Sequence, residues 1–163
     1  MQRIIVKALG GPEQLSLESV DAVPRPGPGQ VLIDVEAAGV NYLDINLRKG
    51  ASVHTTPVPY TPGLEGVGRV REAGDGVTLA AGQRVAWINV RGSYASQLVI
   101  PVEQAIPVPA EFTVSQSLLF QAMTAHYLAH EYRSVQPGDQ VLVHAAAGGV
   151  GQLLVHWLKH MGA

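Results

Sequence analysis

The stretch VHAAAGGVGQLLVHWLKHMGA, Val143–Ala163, reads as the end of a short apolar strand, a glycine-rich turn and one helix. Gly148, Gly149 and Gly151 follow the apolar run VLVHAA (Val141–Ala146) and open a helical pattern, the setting in which a glycine fingerprint has physical meaning. Without a Cβ at Gly148, backbone can approach a pyrophosphate closely, and Gly151 lets the helix start pack tightly on the strand. Backbone N–H groups at the helix start, aided by the helix dipole, then face the anion. The pattern here is A-x-G-x-x-G, with Ala146 in the first glycine's place. The bland alternative is a tight strand-to-helix turn with no ligand, and placement after a buried-type strand favours the nucleotide site. A ribose-gripping acidic residue is expected about twenty positions past such a turn. Only twelve residues follow Gly151, so the choice between NAD and NADP is not written in this stretch.

Upstream, TVSQSLLFQAMTAHYLAHEY (Thr113–Tyr132) has helical spacing with Thr113 as a candidate N-cap. The first hundred residues read as strands separated by turns. Arg3–Leu9, Leu15–Asp21, Val31–Val40, Gly66–Gly74, Gln83–Val90 and Tyr94–Pro101 carry strand-forming residues. In Val31–Val40, Val31, Ile33 and Val35 alternate with Leu32, Asp34 and Glu36. Asn41–Gly50 has helical spacing and a glycine stop. Pro24–Gln30 and Ser52–Pro62 are connecting loops. The expected fold is mainly β with an α/β tail: a closed or partly open barrel over residues 1–112, then over 113–163 a connecting helix and the first βα unit of an incomplete nucleotide-binding domain.

Composition agrees with a globular chain. At 163 residues, 47% hydrophobic and 15% charged, it can bury a sizeable core without a staple. A net charge of −2 with scattered signs suggests no nucleic-acid partner and no anionic membrane surface. The absence of cysteine excludes disulfides, thiol catalysis and cysteine-ligated zinc. MQRIIVKALGG has too short an apolar run for a signal peptide, and no stretch reaches the ~20 residues of a membrane span. A cytoplasmic enzyme or binding module is the default class.

Six stretches carry a family resemblance: AAGVNYLDINLRKG (Ala37–Gly50), TPGLEGVGRV (Thr61–Val70), AAGQRVAW (Ala80–Trp87), GSYASQLVIP (Gly92–Pro101), MTAHYL (Met123–Leu128) and PGDQVLVHAAAGGVGQ (Pro137–Gln152). In this order they resemble the zinc-independent quinone oxidoreductase (zeta-crystallin-like) branch of the medium-chain dehydrogenase/reductase superfamily, N-terminal half only. The resemblance implies a GroES-like barrel on the substrate side followed by a Rossmann domain for the nicotinamide cofactor. It implies NADPH as reductant, a quinone or enone as substrate, no metal, and pairing into dimers through the Rossmann half.

Residue by residue, the resemblance assigns Asn41 and Thr124 to the nicotinamide, as catalytic and cofactor-contacting positions. It places Gly148, Gly149 and Val150 under the pyrophosphate, and Tyr42 and Asn46 by the substrate pocket. Asp44 and Glu65 match acidic positions of mainly structural role. Asn46 stands where relatives often have tyrosine, and His156 where the branch pattern expects glutamine. Asn41, Leu64 and Phe120 occupy the zinc-ligand positions of the alcohol dehydrogenase branch, and none offers a thiolate or imidazole.

Each sharp reading has a bland counterpart. Asn41 is also a good helix cap, and Thr124 an ordinary mid-helix residue. Glu65 can buttress its loop through backbone N–H groups, and Arg69 and Arg71 read as a wet strand face. The pairs His126/His130 and His156/His160 share helix faces, where solvated histidines outnumber metal ligands. No serine sits in a nucleophile-elbow context.

A strand such as Val141–Ala146 is central in a doubly wound sheet. Its edges, and the apolar side of Leu153, Leu154, Trp157 and Leu158, are expected to be uncovered in this chain. Three expectations follow: a homo-oligomer or a complementing C-terminal half through residues 140–160, poor NADPH affinity, and weak or absent activity of the isolated chain. The alternative function is a stand-alone GroES-like ligand- or partner-binding module without turnover.

Overall fold

Strand pairing organises the N-terminal part of the chain. The computed structural model describes residues 1–22, 24–53 and 56–163. Of the expected Ser52–Pro62 loop, His54 and Thr55 lie outside the described residues. The chain divides into two compact units, Met1–Leu118 and Leu119–Ala163.

In the first unit, β1 (Gln2–Val6) and β2 (Leu15–Ser19) form an antiparallel hairpin. A five-stranded antiparallel sheet contains β3 (Gln30–Ala38), β4 (Glu65–Ala73), β5 (Arg84–Ile88), β6 (Gln97–Pro101) and β7 (Ile106–Pro107), in the order β6-β3-β4-β5-β7. Isolated bridges Arg3↔Ala95 and Val6↔Tyr60 tie β1 to the rest. Among the described residues the sheet does not close, so the barrel is partly open. The expected alternation in β3 breaks down: Val31, Leu32 and Ile33 are all buried. Register shifts between Leu32/Ile33 and Val35/Ala37 bend this central strand, and bulges of that kind re-aim side chains.

The core of the unit gathers Val31, Ile33, Val70, Val85, Trp87 and Ile100. Trp87 is fully buried, and its Nε1–H donates to Ser93 Oγ at 2.8 Å. Gly66 on β4 lies against the indole, where a Cβ would collide with the ring. Helix α1 (Tyr42–Lys49) ends at Gly50, in the left-handed region at φ 68, as the glycine stop predicts.

The expected helix Thr113–Tyr132 is shorter and interrupted. Ser115–Ser117 is a 3-10 turn in the first unit, ended by Leu118 in an extended conformation. The N-cap of that turn is Val114 and not the expected Thr113, which sits one residue earlier and exchanges hydrogen bonds with Gln116: Gln116 N–H donates to Thr113 Oγ1 at 3.3 Å, and Thr113 N–H to Gln116 Oε1 at 2.9 Å. The α-helix proper, α2, is Phe120–Tyr127, extended by a π turn over Leu128–Tyr132.

In the second unit, helix α3 (Gly149–Met161) matches the expected helix and ends at Gly162, φ 86. Ala129, Val135 and Leu158 form its small core, with Val143, Leu154 and Met161 packed against them. The expected strand Val141–Ala146 is not one. Residues 141–143 belong to no strand and 144–147 form a turn, with Ala145 at φ 52. A strand exists by its ladder to a neighbour, and the described residues of this unit contain no strand to pair with it. Among the described residues no helix is long and apolar enough to cross a membrane.

Candidate functional site

Two sets of residues carry the candidate chemistry, one in each unit. In the first, the chain leaves β3 and enters α1 through Asn41, the N-cap, which is buried. Asn41 N–H donates to Asp44 Oδ2 at 2.9 Å, so the carboxylate three residues on closes the helix start. The Asn41 side chain completes a capping box with Asp44 and also reaches Glu65, its Nδ2 donating to Glu65 Oε1 at 2.8 Å. Glu65 begins β4 and is 2% exposed. Its partner is thus a side-chain amide, in addition to any backbone support. Gly39 allows this approach, because a Cβ there would overlap the Glu65 carboxylate.

Asp44 also accepts the Tyr94 hydroxyl at 3.1 Å. Burial pushes the Asp44 carboxyl above its ordinary range, more than Asn41 N–H and the Tyr94 hydroxyl draw it down. Burial and the neighbouring Asp44 likewise raise the Tyr94 hydroxyl. Tyr42 and Asn46 share the outer face of α1, Tyr42 exposed and Asn46 half-buried, while Asp44, Leu47 and Arg48 turn inward. An apolar cleft of about 100 Å³ is lined by Leu15, Val40, Ile45, Pro62 and Tyr94 along with Asp44 and Arg48, and neither Tyr42 nor Asn46 is among its walls. Leu64, at one of the zinc-ligand positions, is buried and apolar.

Arg69 and Arg71 do occupy a wet face, where Arg69 and Arg84 pair with Glu36 at 2.8 and 3.0 Å, and Arg71 with Asp34 at 3.2 Å.

In the second unit, Gly148 caps α3 with φ −77 and ψ 169, and makes no side-chain capping hydrogen bond. Gln152 N–H is bonded to Gly148 O at 2.9 Å. The N–H groups of Gly149, Val150 and Gly151 precede the first intrahelical bond and have no acceptor within the helix. Gly151 is required by contact: a Cβ there would run into Ala145 O and Ala146 Cα. Gly149 lies under the Gln121 side chain, which a Cβ would overlap. The first half of α2 therefore borders the glycine turn. Thr124 sits three residues after Gln121, its hydroxyl donating to Phe120 O at 2.7 Å.

His126 and His130 lie with ring centroids 4.5 Å apart, edge-on to Trp157 at 5.1 and 5.7 Å. Among the described residues no group of three or more His, Asp or Glu side chains could hold a metal ion.

Of the residues singled out from sequence, Asn41 is buried at the start of α1 and Tyr42 and Asn46 lie on its outer face, while Thr124 and Gly148–Val150 fall in the second unit. Two participants were not anticipated. Tyr94 lies in GSYAS, one of the stretches carrying the resemblance, yet its bond to Asp44 joins residues fifty positions apart. Gln121 had no motif at all.

Comparison with known proteins is consistent across the chain. Residues 27–110 match the alcohol dehydrogenase GroES-like domain. A 2-haloacrylate reductase of a Burkholderia species is 39% identical over 168 residues, covering 98% of this chain and 50% of that protein. The quinone oxidoreductase of Rattus norvegicus is 38% identical over 172 residues, covering 99% and 52%. The crystal structure of Escherichia coli quinone oxidoreductase complexed with NADPH superposes with a TM-score of 0.92 at 32% identity, over 100% of this chain and 51% of that one. The chain spans about half the length of the curated relatives it matches. It belongs to the alcohol dehydrogenase GroES-like domain family.

Proposed function

We propose that the chain is the N-terminal portion of an NADPH-dependent, zinc-independent quinone or enone oxidoreductase. The observation that carries the reading is the start of α3, where Gly148 makes no side-chain capping bond and the N–H groups of Gly149, Val150 and Gly151 have no acceptor within the helix. That donor set fits a pyrophosphate, which needs N–H groups and close backbone approach. When bound, the nicotinamide supplies the hydride.

The chain's own residues hold, orient and exclude water. In this reading Gly148–Val150 bind the pyrophosphate, and Asn41 and Thr124 face the nicotinamide. Tyr42 and Asn46 border the substrate, a small quinone or enone. Asn41 suits a positioning task because its side chain and N–H are both fixed, on Glu65 and Asp44. The thiolate-free residues Asn41, Leu64 and Phe120 support chemistry without zinc. Pairing through residues 140–160, with a second copy or a complementing C-terminal half, belongs to the same proposal.

Titration of NADPH into the 163-residue chain, followed by nucleotide fluorescence, tests the cradle. The expected result is weak, saturable binding that inorganic pyrophosphate displaces and Gly149→Glu abolishes. Binding indifferent to that substitution would overturn the assignment.

A second reading, a ligand-binding module without turnover, is favoured by the apolar cleft at Leu15, Val40 and Ile45, which the first unit forms alone. Quinone binding that is independent of NADPH and lost in Ile45→Glu would support it.

A further inference from the structure

A second, much smaller cavity lies between α1 and the segment leading into β4. Its volume is about 10 Å³, and its lining includes Asp44, Thr56, Tyr60, Gly63, Leu64 and Arg91. Three buried polar atoms belong to these walls and find no hydrogen-bond partner among the described residues: Asp44 Oδ1, Thr56 Oγ1 and Tyr60 OH. Asp44 as a whole is only 5% exposed. Unpaired polar atoms are rare inside proteins, and three around one cavity point to a shared partner.

We propose that a single internal water molecule is bound here, bridging Asp44 Oδ1 to the hydroxyls of Tyr60 and Thr56. Size decides first. A space of 10 Å³ is about the least that holds one water. Charge decides next. The Asp44 carboxylate disfavours an anion, and Arg91 in the same wall disfavours a cation. The donor pattern completes the match, because water donates to the carboxylate oxygen and exchanges hydrogen bonds with two hydroxyls. Three partners is the usual complement of a buried water.

The site has a consequence for Asn41. One oxygen of Asp44 already receives Asn41 N–H and the Tyr94 hydroxyl. A water on the other oxygen fixes the carboxylate's rotation. Tyr60 is itself anchored, its backbone exchanging hydrogen bonds with Val6 at 2.8 and 3.2 Å. Tyr60 and Thr56 are therefore positioning residues: through the water and Asp44 they hold the backbone of the candidate nicotinamide-facing asparagine. This water site stands whether or not the chain serves an NADPH enzyme.

The test uses the 163-residue chain, its Tyr60→Phe and Thr56→Val variants and their combination. Two readouts are needed: amide hydrogen exchange at Asn41, and the number of long-lived waters from oxygen-17 relaxation dispersion. Each single variant should speed exchange at Asn41 about fivefold, the size of one ordinary hydrogen bond. The double variant should do little more than either single and lose one long-lived water, because both hydroxyls act on the same molecule. Thr56→Ser should restore wild-type exchange. Unchanged exchange at Asn41, additive effects, or an unchanged water count in the double variant would overturn the proposal. Equal acceleration at the core amides of Val67 and Trp87 would mark general destabilisation and overturn it too.

Discussion

Asp44 combines burial, a capping role and a carboxyl group pushed above its ordinary range. The sign of its effect on stability follows from that direction. A carboxyl harder to ionise in the folded chain than in the unfolded one contributes stability that is fully present below about pH 4 and lost as pH rises through the folded value. Asp44→Asn keeps an oxygen for Asn41 N–H and removes the charge. Wild type should therefore lose stability relative to Asp44→Asn as pH rises above about 4, as read from urea midpoints of both proteins. A difference that stays flat, or runs the other way, would mean that Asn41 N–H and Tyr94 outweigh burial. Asn41 and Asp44 were legible as a helix start because capping is local. The turn of the Asn41 side chain to Glu65, and the reach of Tyr94 to Asp44, were not. They are set by strand pairing across 24 and 50 positions, which no local spacing encodes.

Elements were readable wherever their stabilising contacts are local or strongly periodic. Helices α1 and α3 were expected nearly as they stand, since a glycine stop or a glycine turn marks their ends. The strands β1 to β6 followed from β-branched runs between breakers. β7 carried no such signal, being two residues with a proline. The helix over Thr113–Tyr132 was read too long because its apolar spacing runs through Leu118, whose extended backbone divides the 3-10 turn from α2. VLVHAA has the composition of a buried strand, but composition supplies no neighbour to pair with. What survives there is the turn itself, and Gly151 is its contact-limited point. Gly151→Ala puts a methyl into Ala145 O, so the turn or the helix start must shift. The expected cost is about 1–3 kcal/mol, measured by urea unfolding of the chain, together with a loss of whatever NADPH binding the wild type shows. A variant as stable as wild type that still binds nucleotide would show that the close approach is dispensable.

At the scale of the molecule, the second unit has more apolar surface than its own small core can cover. Leu142 is 81% exposed, and Val141, Leu153 and Val155 are exposed beside the covered Val143, Leu154 and Leu158. An open groove lined by Val141, Val155, Leu158, Lys159 and Ala163 adds to this surface. Exposed apolar surface is costly in water and favours association. Residues 141–143 also carry backbone groups outside any ladder, and unpaired backbone adds a second reason to associate. The chain should therefore sediment as a concentration-dependent mixture of monomer and larger species at tens of micromolar. Leu142→Lys combined with Val155→Glu should shift that mixture toward monomer, because each replaces exposed apolar area with a charge and neither touches the core around Ala129 and Leu158. The first unit supplies the control. Its exposed face is already charged, with Glu36 bridging Arg69 and Arg84, so reversing Arg71 to Glu should leave the association unchanged. A wild-type chain that stays monomeric across that range would place the association surface elsewhere or nowhere. Association equally sensitive to Arg71→Glu would show it to be electrostatic and not apolar in origin.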